Sequence, residues 1–193
     1  MIDIMQIGDF LDPSACEALR AELRRSAGSR APLLGREGAD AVQPLVRRAT
    51  RAAVPAEARE RMTRLLMERR ESIERHFGLA LGSCEEPQFL RYESGDFFVP
   101  HQDGNTPLVF DESRFRKISA VIFLSSYAEH PSPGTYGGGS LVLHGPYSGP
   151  PLRVPLTPAP GTLVAFRAET THEVTPVSHG ERFTIVSWYR EAD

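Results

Sequence analysis

The spacing of hydrophobic positions changes character near residue 84. Before it, the spacing is helical. Leu19 and Leu23 recur four apart behind Asp12-Pro13, a pair suited to an N-cap and a first helical residue. This helix is expected to end near Gly28. A second stripe, Met62, Leu65, Leu66, Ile73 and Phe77, predicts one helix from about Pro55 to Phe77, closed by Gly78. Its many Arg and Glu residues read as a solvated face. Residues 29–48 mix Gly, Pro and Arg without periodicity and read as a mobile connection.

After residue 84, short β-branched or aromatic runs alternate with Gly, Pro, Asn and Asp. Strands are predicted at Gln88–Tyr92, Ile118–Ser125, Ser140–His144, Leu152–Pro155, Gly161–Phe166 and Arg182–Tyr189. Stretches 104–116 and 128–138 read as loops at a site mouth, with Gly137-Gly138-Gly139 as a tight turn. Short strands without intervening helices predict a sandwich or jelly roll. The fold class is therefore mainly β with N-terminal helices: one domain over 1–193, with 1–83 mainly helical support and 84–190 the jelly-roll core.

The last strand carries more information. Arg182, Thr184, Val186 and Trp188 share one face; Phe183, Ile185, Ser187 and Tyr189 share the other. Both faces are largely apolar, so both are expected to be covered, the outer one by the N-terminal helices. Arg182 then points into the roll, where a guanidinium needs an anion.

Composition narrows the function classes. Of 193 residues, 40% are hydrophobic and 24% charged, ordinary values for a soluble globular protein. A net charge of -3 gives no electrostatic reason to expect nucleic acid or an anionic membrane as a partner. No apolar run approaches the roughly 18 residues of a membrane span. The acid in Met1-Ile2-Asp3-Ile4-Met5 does not fit a secretory leader, so a cytoplasmic location is expected. Cys16 and Cys84 read as reduced thiols, Cys16 on a packed helix face.

Pro100-His101-Gln102-Asp103 places an imidazole and a carboxylate two positions apart on an extended segment, so both project to one side. His172 follows just beyond the strand ending at Phe166. Two neutral imidazoles and one carboxylate make the facial set of non-haem Fe(II), with three positions left open. Arg182, ten residues on, suits the distal carboxylate of a chelating 2-oxo acid, which a guanidinium holds through two parallel bonds. Its alternative is a buried ion pair with Glu169 or Glu173. Thr184 and Tyr92 are candidate hydroxyl donors, Tyr92 from the opposite wall. Their alternatives are a plain strand residue and a core tyrosine. Trp188 packs, or forms part of the site wall. His144 ends a strand as a structural or substrate-facing residue; His76, His130 and His179 read as solvent-exposed.

Taken together, Tyr92-x-x-Gly95, Pro100-His101-x-Asp103, Gly138-Gly139, Gly161–Phe166, His172-x-Val174 and Arg182 with Trp188-Tyr189 resemble the 2-oxoglutarate/Fe(II) oxygenase superfamily, in its prolyl 4-hydroxylase-like branch. The resemblance spans about residues 86–190. It implies a double-stranded β-helix, iron on His101, Asp103 and His172, and 2-oxoglutarate anchored by Arg182 with Tyr92 near it. Phe123 and Leu141 fall at pocket-lining positions, and some relatives carry a second tyrosine near Phe123 that this chain lacks. The implied reaction is hydroxylation of an unactivated C–H bond, consuming O2 and 2-oxoglutarate and releasing succinate and CO2, with ascorbate as a candidate reductant. The substrate is a prolyl residue or a small amino-acid-like metabolite, with the balance toward a small molecule. Three other classes stay open: an iron-only dioxygenase or isomerase, a ligand-binding or sensor domain, and a structural interaction module.

Overall fold

A computed structural model describes residues 2–32, 43–104, 111–146 and 152–192. Its frame is two facing β-sheets with helices against one of them. The major sheet runs in the order Ile4–Ile7, Leu163–Arg167, Arg116–Phe123, Arg182–Glu191, Gln88–Tyr92, Thr50–Ala52 and Gly28–Arg30, with Leu81–Cys84 also pairing the Arg182–Glu191 strand. The minor sheet runs Arg153–Leu156, Leu141–His144, His172–Val174, Phe97–His101 and Arg47–Arg48. A small third sheet joins Val177–Gly180, Thr135–Gly138 and Ser126–Tyr127. This is the expected jelly roll.

The helices cover the outer face of the major sheet. α1 (Pro13–Arg25) begins as its sequence implies, the Asp12 carboxylate accepting from the Ala15 N–H at 2.8 Å. The single helix expected between Pro55 and Phe77 is two: α2 (Ala56–Glu68) and α3 (Arg70–Phe77), broken at Arg69 (φ -96°, ψ -4°). Gly78 closes α3 in the left-handed conformation (φ 63°). Leu23, Leu66, Ile73 and Phe77 from these helices pack on Phe183, Ile185 and Tyr189 in one core. Each such buried side chain contributes on the order of 2 kcal/mol. The Tyr189 hydroxyl reaches through that layer to donate to the Leu66 carbonyl at 2.6 Å. Both faces of the last strand are therefore covered, as its pattern requires.

The N-terminal part does more than support. It adds Ile4–Ile7, Gly28–Arg30 and Thr50–Ala52 to the major sheet and Arg47–Arg48 to the minor one. The connection expected over 29–48 thus ends in strands, and its middle, 33–42, lies outside the described residues. The loop expected over 104–116 contains a 3-10 turn at Glu112–Phe115, with 105–110 outside the described residues. Thr135–Gly138 is a bulged strand paired with Val177–Gly180, so Gly137 and Gly138 belong to a strand, while the left-handed Gly138 and Gly139 (φ 62° and 56°) lead the chain into Leu141–His144. His179 lies on that partner strand, half-buried, rather than exposed in a turn. Cys16 and Cys84 are free thiols. No helix among the described residues is long and apolar enough to cross a membrane.

Between the two sheets, one apolar cluster of Val121, Phe123, Leu141, Leu143, Val164 and Phe166 closes part of the roll. Beside it a cavity of about 520 Å³ stays open.

Candidate metal centre and co-substrate pocket

The minor sheet brings together the three side chains that could hold a metal ion. His101 ends the Phe97–His101 strand and pairs directly opposite His172 on an antiparallel strand of its own, His172–Val174. Asp103 follows two residues on, its N–H donating to the Ala168 carbonyl at 2.9 Å. One ligand atom from each of His101, Asp103 and His172 lies within 4.8 Å of the others. The Asp103 oxygens stand 3.6 Å from His101 Nε2 and 3.4 Å from His172 Nε2.

Neighbouring groups orient all three. His101 Nδ1 donates to the Val99 carbonyl and His172 Nδ1 to the Thr170 carbonyl, each at 2.9 Å. Because a carbonyl only accepts, both Nδ1 atoms carry the proton and both Nε2 lone pairs are left for the centre. The Ser119 hydroxyl donates to Asp103 Oδ2 at 2.6 Å, and Arg116 Nη1 to the Asp103 carbonyl at 3.2 Å. Arg116 is itself held by both Glu85 oxygens, at 2.7 and 2.6 Å, and its guanidinium carbon lies 3.7 Å from the Trp188 ring centre. Burial alone would raise the Asp103 carboxyl, but the two imidazoles and Ser119 hold it well below the usual range. Burial, with His101 adding, pushes His172 down to about 4. His172 is therefore neutral, as a metal ligand must be.

Arg182 lines the same cavity as the triad. It is 1% exposed. Nη1 reaches Thr184 Oγ1 at 3.4 Å, while Nε and Nη2 have no hydrogen-bond partner. Among the described residues no carboxylate lies within ion-pair distance; Glu173 turns outward to His144 and Arg153. The rings of Tyr92 and Phe123 flank the guanidinium at 5.1 and 5.2 Å. Tyr92 is the direct cross-strand neighbour of Arg182, so it stands beside the arginine and not on the opposite wall. Leu141, Thr184 and Trp188 line the same cavity.

Several supporting residues escape sequence reasoning. Tyr136 is fully buried, with its hydroxyl close to Arg182. Burial pushes that hydroxyl up against the pull of Arg182, so it stays a donor. Gly139 makes the close approach workable: a Cβ there would meet Val177 Cγ2 at 2.9 Å and Arg182 Cδ at 3.0 Å. Ser119 and Arg116 carry no signal beyond their parity on a strand.

The donor set fits Fe(II): two imidazoles and a carboxylate converge on one side, with the open cavity on the other. The guanidinium, with no ion-pair partner among the described residues, fits the far carboxylate of a dicarboxylate co-substrate. The family model described as the 2OG-Fe(II) oxygenase superfamily matches residues 87–190. The chain belongs to that superfamily. Fe(II) and 2-oxoglutarate are accordingly its cofactor and co-substrate. A PKHD-type hydroxylase of Shewanella sp. (strain MR-7) is 34% identical over 102 residues, 53% of this chain and 41% of the relative. A PKHD-type hydroxylase of Maricaulis maris (strain MCS10) is 30% identical over 151 residues, 75% of this chain and 62% of the relative. The chain spans less than two thirds of the length of these curated relatives. A solved Pseudomonas putida prolyl-4-hydroxylase superposes with a TM-score of 0.73 at 24% identity, covering 100% of this chain and 95% of that one. That likeness concerns the fold.

Proposed function

We propose that this protein is a 2-oxoglutarate-dependent hydroxylase in which His101, Asp103 and His172 hold iron and Arg182 holds the far carboxylate of 2-oxoglutarate. The observation that carries the reading is one cavity lined both by a triad that could hold a metal and by a buried guanidinium with no ion-pair partner among the described residues. When bound, iron with 2-oxoglutarate supplies the oxidising chemistry: 2-oxoglutarate and O2 give succinate and CO2, and one oxygen atom enters a C–H bond of the substrate.

The chain contributes orientation and charge. Val99 and Thr170 carbonyls fix the tautomers of His101 and His172, and Ser119 and Arg116 aim Asp103. Arg182 would hold the co-substrate carboxylate, its Nε and Nη2 being without partners among the described residues, and Thr184, Tyr92 and Tyr136 would supply nearby hydroxyls. Phe123 and Leu141 keep water from that carboxylate, and Trp188, pinned under Arg116, forms a rigid wall. The relatives' hydroxylase names support hydroxylation; the substrate in this reading is a prolyl residue or a small amino-acid-like metabolite.

The test is turnover with Fe(II), 2-oxoglutarate and air across free amino acids, prolyl peptides and a cell extract, followed by mass spectrometry. A product with one added oxygen, formed only when both iron and 2-oxoglutarate are present, is expected. Oxygenated product that forms equally without 2-oxoglutarate would favour an iron-only dioxygenase.

A further inference from the structure

One buried cation in the cavity is not used by this reading. Arg47 lies on the edge strand Arg47–Arg48, paired with Phe98, and lines the cavity. It is 8% exposed. Nη1 donates to the Pro32 carbonyl at 3.1 Å, and Nε has no hydrogen-bond partner. Its guanidinium carbon sits 4.8 Å from the Phe98 ring centre, and Phe98 stacks on His101 with centres 3.5 Å apart. Arg47 is therefore two ring contacts from the iron-side histidine.

The other arginines of the cavity differ. Arg116 is paired with Glu85, and the half-buried Arg51 reaches Glu86 at 3.6 Å. Arg182 is committed to the co-substrate. Among the described residues, no carboxylate lies within ion-pair distance of Arg47. Asp111 lines the cavity too, but its carboxylate is tied to the Ser113 N–H and hydroxyl at 2.8 and 2.6 Å, with Arg114 and Arg116 nearby.

Charge bookkeeping then singles Arg47 out. Divalent iron, Asp103, the two carboxylates of 2-oxoglutarate and Arg182 together are neutral. Arg47 is what remains: among the described residues, a buried guanidinium without a counter-ion, a costly state unless an anion completes it. Its planar fork and its perch over an aromatic ring suit a carboxylate.

We propose that Arg47 binds the carboxylate of the primary substrate, making that substrate a small free acid, such as an unblocked amino acid, in preference to an internal residue of a peptide. This rests on the hydroxylase reading above. The cavity's size, about 520 Å³, falls within the range of small-molecule sites.

The chain's single tryptophan, Trp188, lines the cavity and reports its occupancy. Protein loaded with Mn(II) and 2-oxoglutarate, without air, is titrated with pairs of free amino acids and their carboxamides while Trp188 fluorescence is followed. The same pairs are then run with Fe(II) and air for succinate release. At least one acid is expected to bind about tenfold tighter than its amide and to be the better stimulator. Arg47→Met should erase that preference while leaving 2-oxoglutarate affinity within about twofold, and Arg47→Lys should keep it in weakened form. If 2-oxoglutarate binds but no acid surpasses its own amide in the wild type, or if Arg47→Met keeps the preference, the proposal is overturned. If the metal-loaded wild type does not bind 2-oxoglutarate at all, the underlying hydroxylase reading falls, and this one with it.

Discussion

Replacing Arg182 with Met separates co-substrate binding from fold stability. The guanidinium is buried, and two of its nitrogens, Nε and Nη2, have no partner. If these two donate to the far carboxylate of 2-oxoglutarate, the variant loses two charged hydrogen bonds of about 1.5–3 kcal/mol each. At the low end that is about 3 kcal/mol, or a hundredfold weaker binding. Iron affinity should hardly change, because Arg182 is not one of the three candidate ligands His101, Asp103 and His172. Stability should move the other way. Among the described residues the guanidinium has no counter-ion in the ligand-free fold, so an apolar side chain of similar length should leave the melting temperature unchanged or raise it. Calorimetric titration of Mn(II) and of 2-oxoglutarate, with melting curves alongside, measures all three quantities. The reasoning is refuted if the Met variant binds 2-oxoglutarate as tightly as the wild type. A fall in melting temperature joined to equal losses of metal and 2-oxoglutarate would instead make Arg182 a structural residue.

Two further outcomes are expected. Ser119→Ala removes the 2.6 Å bond that aims Asp103 and should weaken Fe(II) binding about tenfold or more without unfolding the protein; unchanged affinity would mean that Asp103 is aimed by other contacts. The metal-free protein should also lose stability as pH falls. His172, held down to about 4 by burial, titrates near 6.5 when unfolded, so the unfolded chain takes up this proton first. The contribution of His172 is therefore complete above about pH 6.5 and lost progressively toward pH 4, on the order of 3 kcal/mol in all. Denaturant titrations of the wild type and His172→Gln over that window would show it as a difference in slope, and parallel slopes would contradict it.

The site was legible where its residues obey a short-range rule. His-x-Asp on an extended segment puts both groups on one side, and strand parity sends Arg182 inward; the structure has both features. What stayed hidden depends on contacts remote in sequence. Tyr136 sits in a run of glycines that resembles a turn, and its hydroxyl has meaning only because Arg182 arrives from a distant strand. Arg116 acts through Glu85, 31 residues away. Arg47 belongs to an aperiodic stretch whose two-residue strand exists only because Phe97–Phe98 offers a free edge. The fold shows the same division. Asp12-Pro13 and Gly78 mark their helix ends with local chemistry. The break at Arg69 has no Gly or Pro to announce it, and the N-terminal strands are too short to show a period.

The central claim, that this cavity turns over 2-oxoglutarate on a His101–Asp103–His172 iron, is tested most directly by succinate. Wild type and Asp103→Ala are each incubated with Fe(II), 2-oxoglutarate and air, and succinate is quantified against 2-oxoglutarate consumed. The account predicts equimolar succinate from the wild type and none above background from Asp103→Ala. A wild-type protein that binds iron yet leaves 2-oxoglutarate unconsumed, even with the acid panel and cell extract added, would contradict it and make the molecule a metal-binding jelly roll without turnover.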